Sequence, residues 1–376
     1  MTKGIVNKSD KTLHIKNEDN RDYLLNEIKE ELNDHDLFIW GCGSYSKIIS
    51  EYLRTNGITR KPTYIIDDGY DVSGRDDIIY LSVFLKEAAS KAVVIFGFYN
   101  YAAVLQKKEE YVHNIYKMYD FHFGVVNDKR IKWDIQIAKE REENYRITYD
   151  LLTDENSKNI MQAYLDAATV GDFAGLYKYH TEPSYFNVIT NNMDVDTLID
   201  CGAYDGDSIH DYIAEHKEYK RIIAFEPDPD NVKKIRLREE RENIKNLLVI
   251  NSGVYSYDGK LYFNAKGESN SHLSSEGDFE VSVTTIDKYI EKFSENSLIK
   301  MDIEGSELEA LKGAQESIKR FTPVLTICVY HKEEDLIDIP QFINSLVGHC
   351  VYDYYLGFHG FDLAELVFYA IPKVKM

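Results

Sequence analysis

Three aspartates crowd the turn DCGAYDGDS, where Asp200, Asp205 and Asp207 surround Gly202 and Gly206 between an apolar run and a helical pattern. Glycines at this spacing let a chain turn sharply from strand to helix and come close to a bound group. The carboxylates repel a pyrophosphate, and no Arg or Lys stands within the turn to offset them. A ligand with a positive charge and hydrogen-bond donors suits them better. Glu226 ends the next apolar run, AFEP, just before Pro227, where a carboxylate can accept from both hydroxyls of a ribose. A sulfonium with an amino group, joined to a nucleoside, meets these requirements together, which points to S-adenosylmethionine as cofactor and S-adenosylhomocysteine as product.

Methyl transfer to a hydroxyl is an in-line displacement that needs aligned oxygen, carbon and sulfur and a base for the hydroxyl proton. His331, closing the run PVLTICVYH, has the residue type for a base at neutral pH, with an ordinary pKa of about 6.5. Asp302 and Glu304 in MDIEGS are rivals that could take the proton, orient the acceptor or hold a divalent cation. No metal is predicted, because carboxylate pairs at strand ends more often bind organic ligands or cap helices. Glu307 reads as an acid complementing the dipole of the helix it opens. The polar segment KGESNSHLSSEGD reads as a surface loop suited to a polyol acceptor or to a lid, with His272 as a candidate contact.

The elements that must position these groups alternate between strand and helix. DTLID, RIIAFEP, NLLVINSGV, SLIKMDIEGS and PVLTICVYH read as strands, and ELEALKGAQESIKRF as one helix opened by a Ser306–Glu309 capping box. VYDYYLGF and ELVFYAIP read as a closing antiparallel hairpin at a sheet edge. Every candidate acid then stands at a strand's carboxyl end, the edge where doubly wound sheets bind ligands. A separate βαβ pattern comes earlier: LFIW, a glycine turn with Gly41 and Gly43 but Ser46 in place of a third glycine, a helix, TYIIDD and VVIFGF. Asp67 or Asp68 there could accept from a ribose. The expected organisation is a small Rossmann-like α/β domain over residues 1–135, a connecting helical region over 136–185, with Asp154 or Ser157 as caps and Gly171 as a stop, and the cofactor domain over 186–376.

LIDCGAYDGDS, AFEPD, NSGVYSYDGKLYF, VTTIDKYI and LIKMDIEGSELEALKGA resemble, in order, the motifs of the FkbM-type S-adenosylmethionine-dependent methyltransferases, over roughly residues 150–372. The resemblance implies a class I, Rossmann-like methyltransferase sheet and O-methylation of a hydroxyl on a sugar, a polysaccharide unit or a secondary metabolite. It implies that Gly202, Ala203 and the turn Asp205, Gly206, Asp207 and Ser208 hold the methionine portion, Glu226 with Pro227 the ribose, and Asn251, Ser252 and Gly253 the adenine. Asp200 either joins them or caps the turn's own amides.

Composition bounds the rest. With 376 residues, two domains are expected. A net charge of -20 argues against nucleic acid as a partner and leaves a small-molecule or glycan acceptor. The densest basic stretch, KKIRLREERENIKN, interleaves acids at helical spacing, as on a solvated helix face. The four cysteines form no C-x-x-C pair, and no apolar run is long enough to span a membrane, so a cytoplasmic protein is expected. Two rival functions are an NAD-dependent sugar-nucleotide oxidoreductase or isomerase using the first glycine turn, and a non-catalytic assembly protein that holds the cofactor structurally.

Overall fold

The computed structural model describes residues 13–15, 20–71, 74–97, 101–120, 133–170, 173–182, 184–187, 189–190, 193–264, 272–274, 279–360 and 363–373. Asp36–Trp40 (β1), Thr63–Ile66 (β2), Ile78–Tyr80 (β3), Ala92–Phe96 (β4) and Lys117–Asp120 (β5) form a parallel sheet ordered β3-β2-β1-β4-β5. The apolar runs of β1 and β4 make the buried centre. The edge strands are weaker signals, β3 being three half-buried residues that run straight into a helix and β5 being bounded by Lys117 and Asp120, so the sequence pattern shows three strands and the sheet has five. At the first glycine turn Gly41 has φ +103°, and Ser46 Oγ donates to the carbonyl of Gly97 at 3.1 Å, tying the helix Ser44–Thr55 to the end of β4.

Four helices follow: Ile135–Glu140, Glu142–Leu151, Glu155–Val170 and Phe173–Tyr177. Asp154 caps the third by accepting from Ser157 N at 2.7 Å; Gly171, its expected stop, lies outside the described residues. This helical stretch closes an exposed sheet edge further along the chain. Thr153 N and Thr181 N donate to the carbonyls of Tyr354 and Phe358, and Ser157 Oγ accepts from Leu356 N. Satisfying a strand's outer groups in this way removes a template for unwanted pairing.

The second part contains Thr197–Cys201 (β6), Arg221–Phe225 (β7), Leu247–Ile250 (β8), Gly253–Val254 (β9), Gly259–Asn264 (β10), His272–Ser274 (β11), Phe279–Thr284 (β12), Ser297–Met301 (β13), Val324–Cys328 (β14), Tyr352–Phe358 (β15) and Leu366–Pro372 (β16). Seven of these form one sheet ordered β15-β16-β14-β13-β6-β7-β8, with β15 and β16 as the antiparallel hairpin. The chain leaves β6 toward β7 and β8, then returns to build β13 and β14 on its other side. The carboxyl ends of β6 and β13 therefore flank the point where strand order reverses. The remaining strands form a small sheet, β11-β10-β12-β9, that the sequence pattern did not anticipate. NLLVINSGV is not one strand: it supplies β8 to the large sheet and β9 to the small one. Within the segment read as a loop, residues 272–274 form β11 and pair with Tyr262–Asn264, while its remaining residues before Phe279 lie outside the described set.

Two local expectations are corrected. ELEALKGAQESIKRF forms two helices, Glu307–Lys312 and Gln315–Phe321, because the chain breaks at Gly313, where a Cβ would come 2.1 Å from the carbonyl oxygen of Tyr255. Ser306 makes no side-chain cap, and Glu309 instead accepts from Ser256 and Lys312. Among the described residues no helix is long and apolar enough to cross a membrane.

Candidate functional site

The end of β6 is built by close backbone packing. A Cβ on Gly202 would lie 1.9 Å from the carbonyl oxygen of Asp302, and its φ of +81° suits glycine. The amides of Gly202 and Ala203 both donate to Phe225 O at 3.1 Å. Gly206, at φ +89°, opens the helix Asp207–Glu215. Asp200 is fully buried, accepts from Ser208 Oγ at 2.6 Å and lies 3.2 Å from Lys300 Nζ. Lys300, also buried, donates to Gly202 O at 2.7 Å. Burial alone would depress the Lys300 pKa, yet Asp200 and Asp302 overcome it and raise it, so the ammonium stays charged. Arg238 bonds the Asp205 carbonyl at 3.0 Å and stands 3.2 Å from its carboxylate. Asp207, whose pKa burial raises, accepts from Ser208 N at 2.7 Å.

Glu226 leaves β7 almost wholly buried. Its two oxygens accept from Tyr204 N and Asp228 N, each at 2.9 Å, so the backbone on both sides fixes the carboxylate plane. Each oxygen keeps lone-pair capacity for a further donor. Burial pushes its pKa up to about 7. Asn251 Nδ2 donates to the carbonyls of Glu226 and Pro227 at 2.9 Å, pinning the end of β7, and Ser252 is buried beside Gly253 at the start of β9.

Across the reversal point, Asp302, Glu304 and His331 converge. His331 Nε2 stands 3.3 Å from Asp302 Oδ1 and 3.5 Å from Glu304 Oε2, and Nδ1 stands 3.0 Å from Glu307 Oε1. Tyr185 OH donates to the other oxygen of Asp302 at 2.8 Å. Burial pushes the Asp302 pKa up, but His331 and Lys300 outweigh it and hold it below the usual value. For His331, burial favours the neutral ring, while Glu307, Asp302 and Glu304 raise its pKa to about 10. This corrects the expectation of a base of ordinary pKa: with these neighbours the imidazole is protonated at neutral pH and has no free lone pair. Glu307 stands in the first turn of its helix, as expected, and is in addition fully buried, accepts from Ile303 N at 2.8 Å and lies against the imidazole.

Residues 200–354 match the family model of the methyltransferase FkbM domain. Over this segment the chain is similar to the methyltransferase FkbM domain. The crystal structure of methyltransferase FkbM from Methylobacillus flagellatus KT is similar over 91% of this chain and 92% of that chain, at 22% identity and a TM-score of 0.66. Coverage that wide takes in the five-stranded sheet as well as the seven-stranded one, so the likeness extends over both parts of the fold. An rRNA methylase from Streptococcus thermophilus covers 49% of this chain and 89% of its own at 14% identity and a TM-score of 0.32. Precorrin-6y C5,15-methyltransferase from Geobacter metallireducens GS-15 covers 52% and 93% at 11% identity and a TM-score of 0.31. None of the curated proteins matches the chain.

The second part of the chain brings the candidate residues from Asp200 to His331 to one edge of its large sheet, apart from His272, whose side chain lies outside the described set. The acidic turn is less anionic than its sequence: Lys300 offsets Asp200, and Arg238 offsets Asp205. Both cations come from other elements, and only the fold brings them there. Lys300 did leave a signal, since a lysine inside the apolar strand SLIKM must be paired if it is buried. Tyr185 and the burial of Glu307 left none. In the first sheet, Asp67 pairs with Lys107 at 3.0 Å and both oxygens of Asp68 accept from Ser82.

Proposed function

We propose that the protein transfers the methyl group of S-adenosylmethionine to a hydroxyl of a sugar, a glycan unit or a related secondary metabolite. The convergence of Glu226, the glycine turn after β6 and the cluster Asp302–Glu304–His331 on one edge at the strand-order reversal supports this function above all. Glu226 accepts from the ribose hydroxyls, and the turn Gly202–Ser208 cradles the methionine portion with Asp207 as its remaining unneutralised acid. Asn251, Ser252 and Gly253 flank the adenine. The acceptor hydroxyl enters against Asp302, Glu304 and His331. Its oxygen forms the bond to the methyl carbon, the carbon–sulfur bond breaks with its electron pair left on sulfur, and the hydroxyl proton passes by way of the Asp302 or Glu304 carboxylate to solvent. Residues 1–135 stand as an appended α/β unit and 136–185 as the helical connection.

Calorimetric titration with S-adenosylmethionine and, separately, NAD tests the cofactor. Release of S-adenosylhomocysteine in the presence of a panel of sugars and glycans tests the acceptor. Tight NAD binding without any response to S-adenosylmethionine would overturn the proposal.

A further inference from the structure

The cluster beyond β13 and β14 has the geometry of a metal site. Three residues meet there, Asp302, Glu304 and His331, each offering one ligand atom within 4.8 Å of the others, with Asp302 Oδ1 and Glu304 Oε2 the oxygens nearest His331 Nε2. Asp302 Oδ1 and His331 Nε2 are buried without a hydrogen-bond partner although they face each other at 3.3 Å. His331 is itself only 7% exposed, and Nε2 points into the space between the two carboxylates. Buried polar atoms rarely stay unpaired, and two such atoms aimed at one point imply a shared partner. Meanwhile the far sides of two of the ligands have neighbours. Tyr185 fixes Asp302 Oδ2 at 2.8 Å, and Glu307 Oε1, at 3.0 Å from Nδ1, presents a carboxylate to the back of the ring. A carboxylate behind a histidine whose other nitrogen faces a cation is the usual second-layer arrangement of metal centres. Glu304 adopts a left-handed backbone, φ +55°, in directing its side chain to the same point.

Spacing agrees. Donors about 2.0–2.2 Å from a first-row ion stand about 3.0–3.5 Å apart in neighbouring coordination positions, close to the 3.3 and 3.5 Å found here. Two carboxylates and one imidazole suit a divalent ion such as Mn²⁺ or Zn²⁺. Three ligands leave at least one position open on an ion that takes four or more.

We infer that Asp302, Glu304 and His331 bind one divalent metal cation, whose open positions take the oxygen of the methyl acceptor. The cation takes the place of the proton on His331 Nε2. An acceptor hydroxyl bound to it loses its proton to solvent more readily, and the oxygen then attacks the methyl carbon while the carbon–sulfur pair returns to sulfur. This role in catalysis rests on the function proposed above; cation binding itself does not.

The test is titration of chelator-treated, full-length protein with Mn²⁺ alone, followed by calorimetry and by the electron paramagnetic resonance of free Mn²⁺. One ion per chain is expected. Glu304→Gln, at a partly exposed position, and Asp302→Asn should each weaken binding about tenfold or more, with S-adenosylmethionine affinity retained. Absence of Mn²⁺ binding, or binding indifferent to both substitutions, overturns the inference. Because neither methyl donor nor acceptor is present, Mn²⁺ binding by a protein that ignores S-adenosylmethionine upholds the site while removing the proposed function, and the opposite pattern removes only the site.

Discussion

If Glu226 holds the ribose as a carboxylate, cofactor affinity must follow its ionisation, and its burial moves that ionisation into an accessible range. With the pKa pushed up to about 7, about 90% of the free protein is ionised at pH 8 and about 10% at pH 6. The raised value means that the proton is held more tightly than in a solvated glutamate, so the binding-competent form is lost as pH falls. Affinity should therefore drop about tenfold from pH 8 to pH 6, and a further tenfold for each unit below. A glutamate of ordinary pKa would stay almost fully ionised over the same interval and give no slope. Calorimetry with S-adenosylhomocysteine at several pH values measures this, and Glu226→Gln supplies the control, because titration of the ligand's own amino group affects both proteins alike. The variant should bind weakly, with the slope between pH 6 and 8 removed. Equal slopes in wild type and variant, or unchanged affinity on substitution, would refute the assignment.

Lys300→Met leaves Asp200 buried without its counter-charge and should cost about 3–5 kcal/mol in chemical denaturation; adding Asp200→Asn should recover much of that, whereas strict additivity would mean that the pair is not coupled. Gly202→Ala places a methyl group 1.9 Å from Asp302 O at a positive φ, so the denaturation midpoint should fall by the equivalent of at least about 2 kcal/mol; an unchanged midpoint would contradict the packing of β6 against β13. Arg238→Ala removes a partly exposed partner of Asp205 and should change stability by less than about 1 kcal/mol while altering cofactor affinity measurably; no effect on affinity would place the Asp205 turn outside the site.

The local order of elements was legible because its causes are local. Glycines where only a positive φ fits, apolar runs of strand length and acids at the ends of those runs place Gly202, Gly206, Glu226, Asp302 and His331 on one edge once the sheet is doubly wound. Where a boundary depended on a distant neighbour the pattern failed. Gly313 breaks a helix because Tyr255 lies against it, and NLLVINSGV divides between two sheets because β12 claims its second part.

The sequence by itself determined the strand-to-helix alternation, the acidic glycine turn and the residue types available for catalysis, since each follows from the conformational and chemical preferences of neighbouring residues. Only the tertiary structure decided their charge states and partners. Lys300 and Arg238 neutralise two of three aspartates from positions 100 and 33 residues away in the chain, and Glu307, the expected helix-end acid, is also the buried neighbour of His331. Electrostatic interaction depends on distance and burial, and neither is a property of sequence separation.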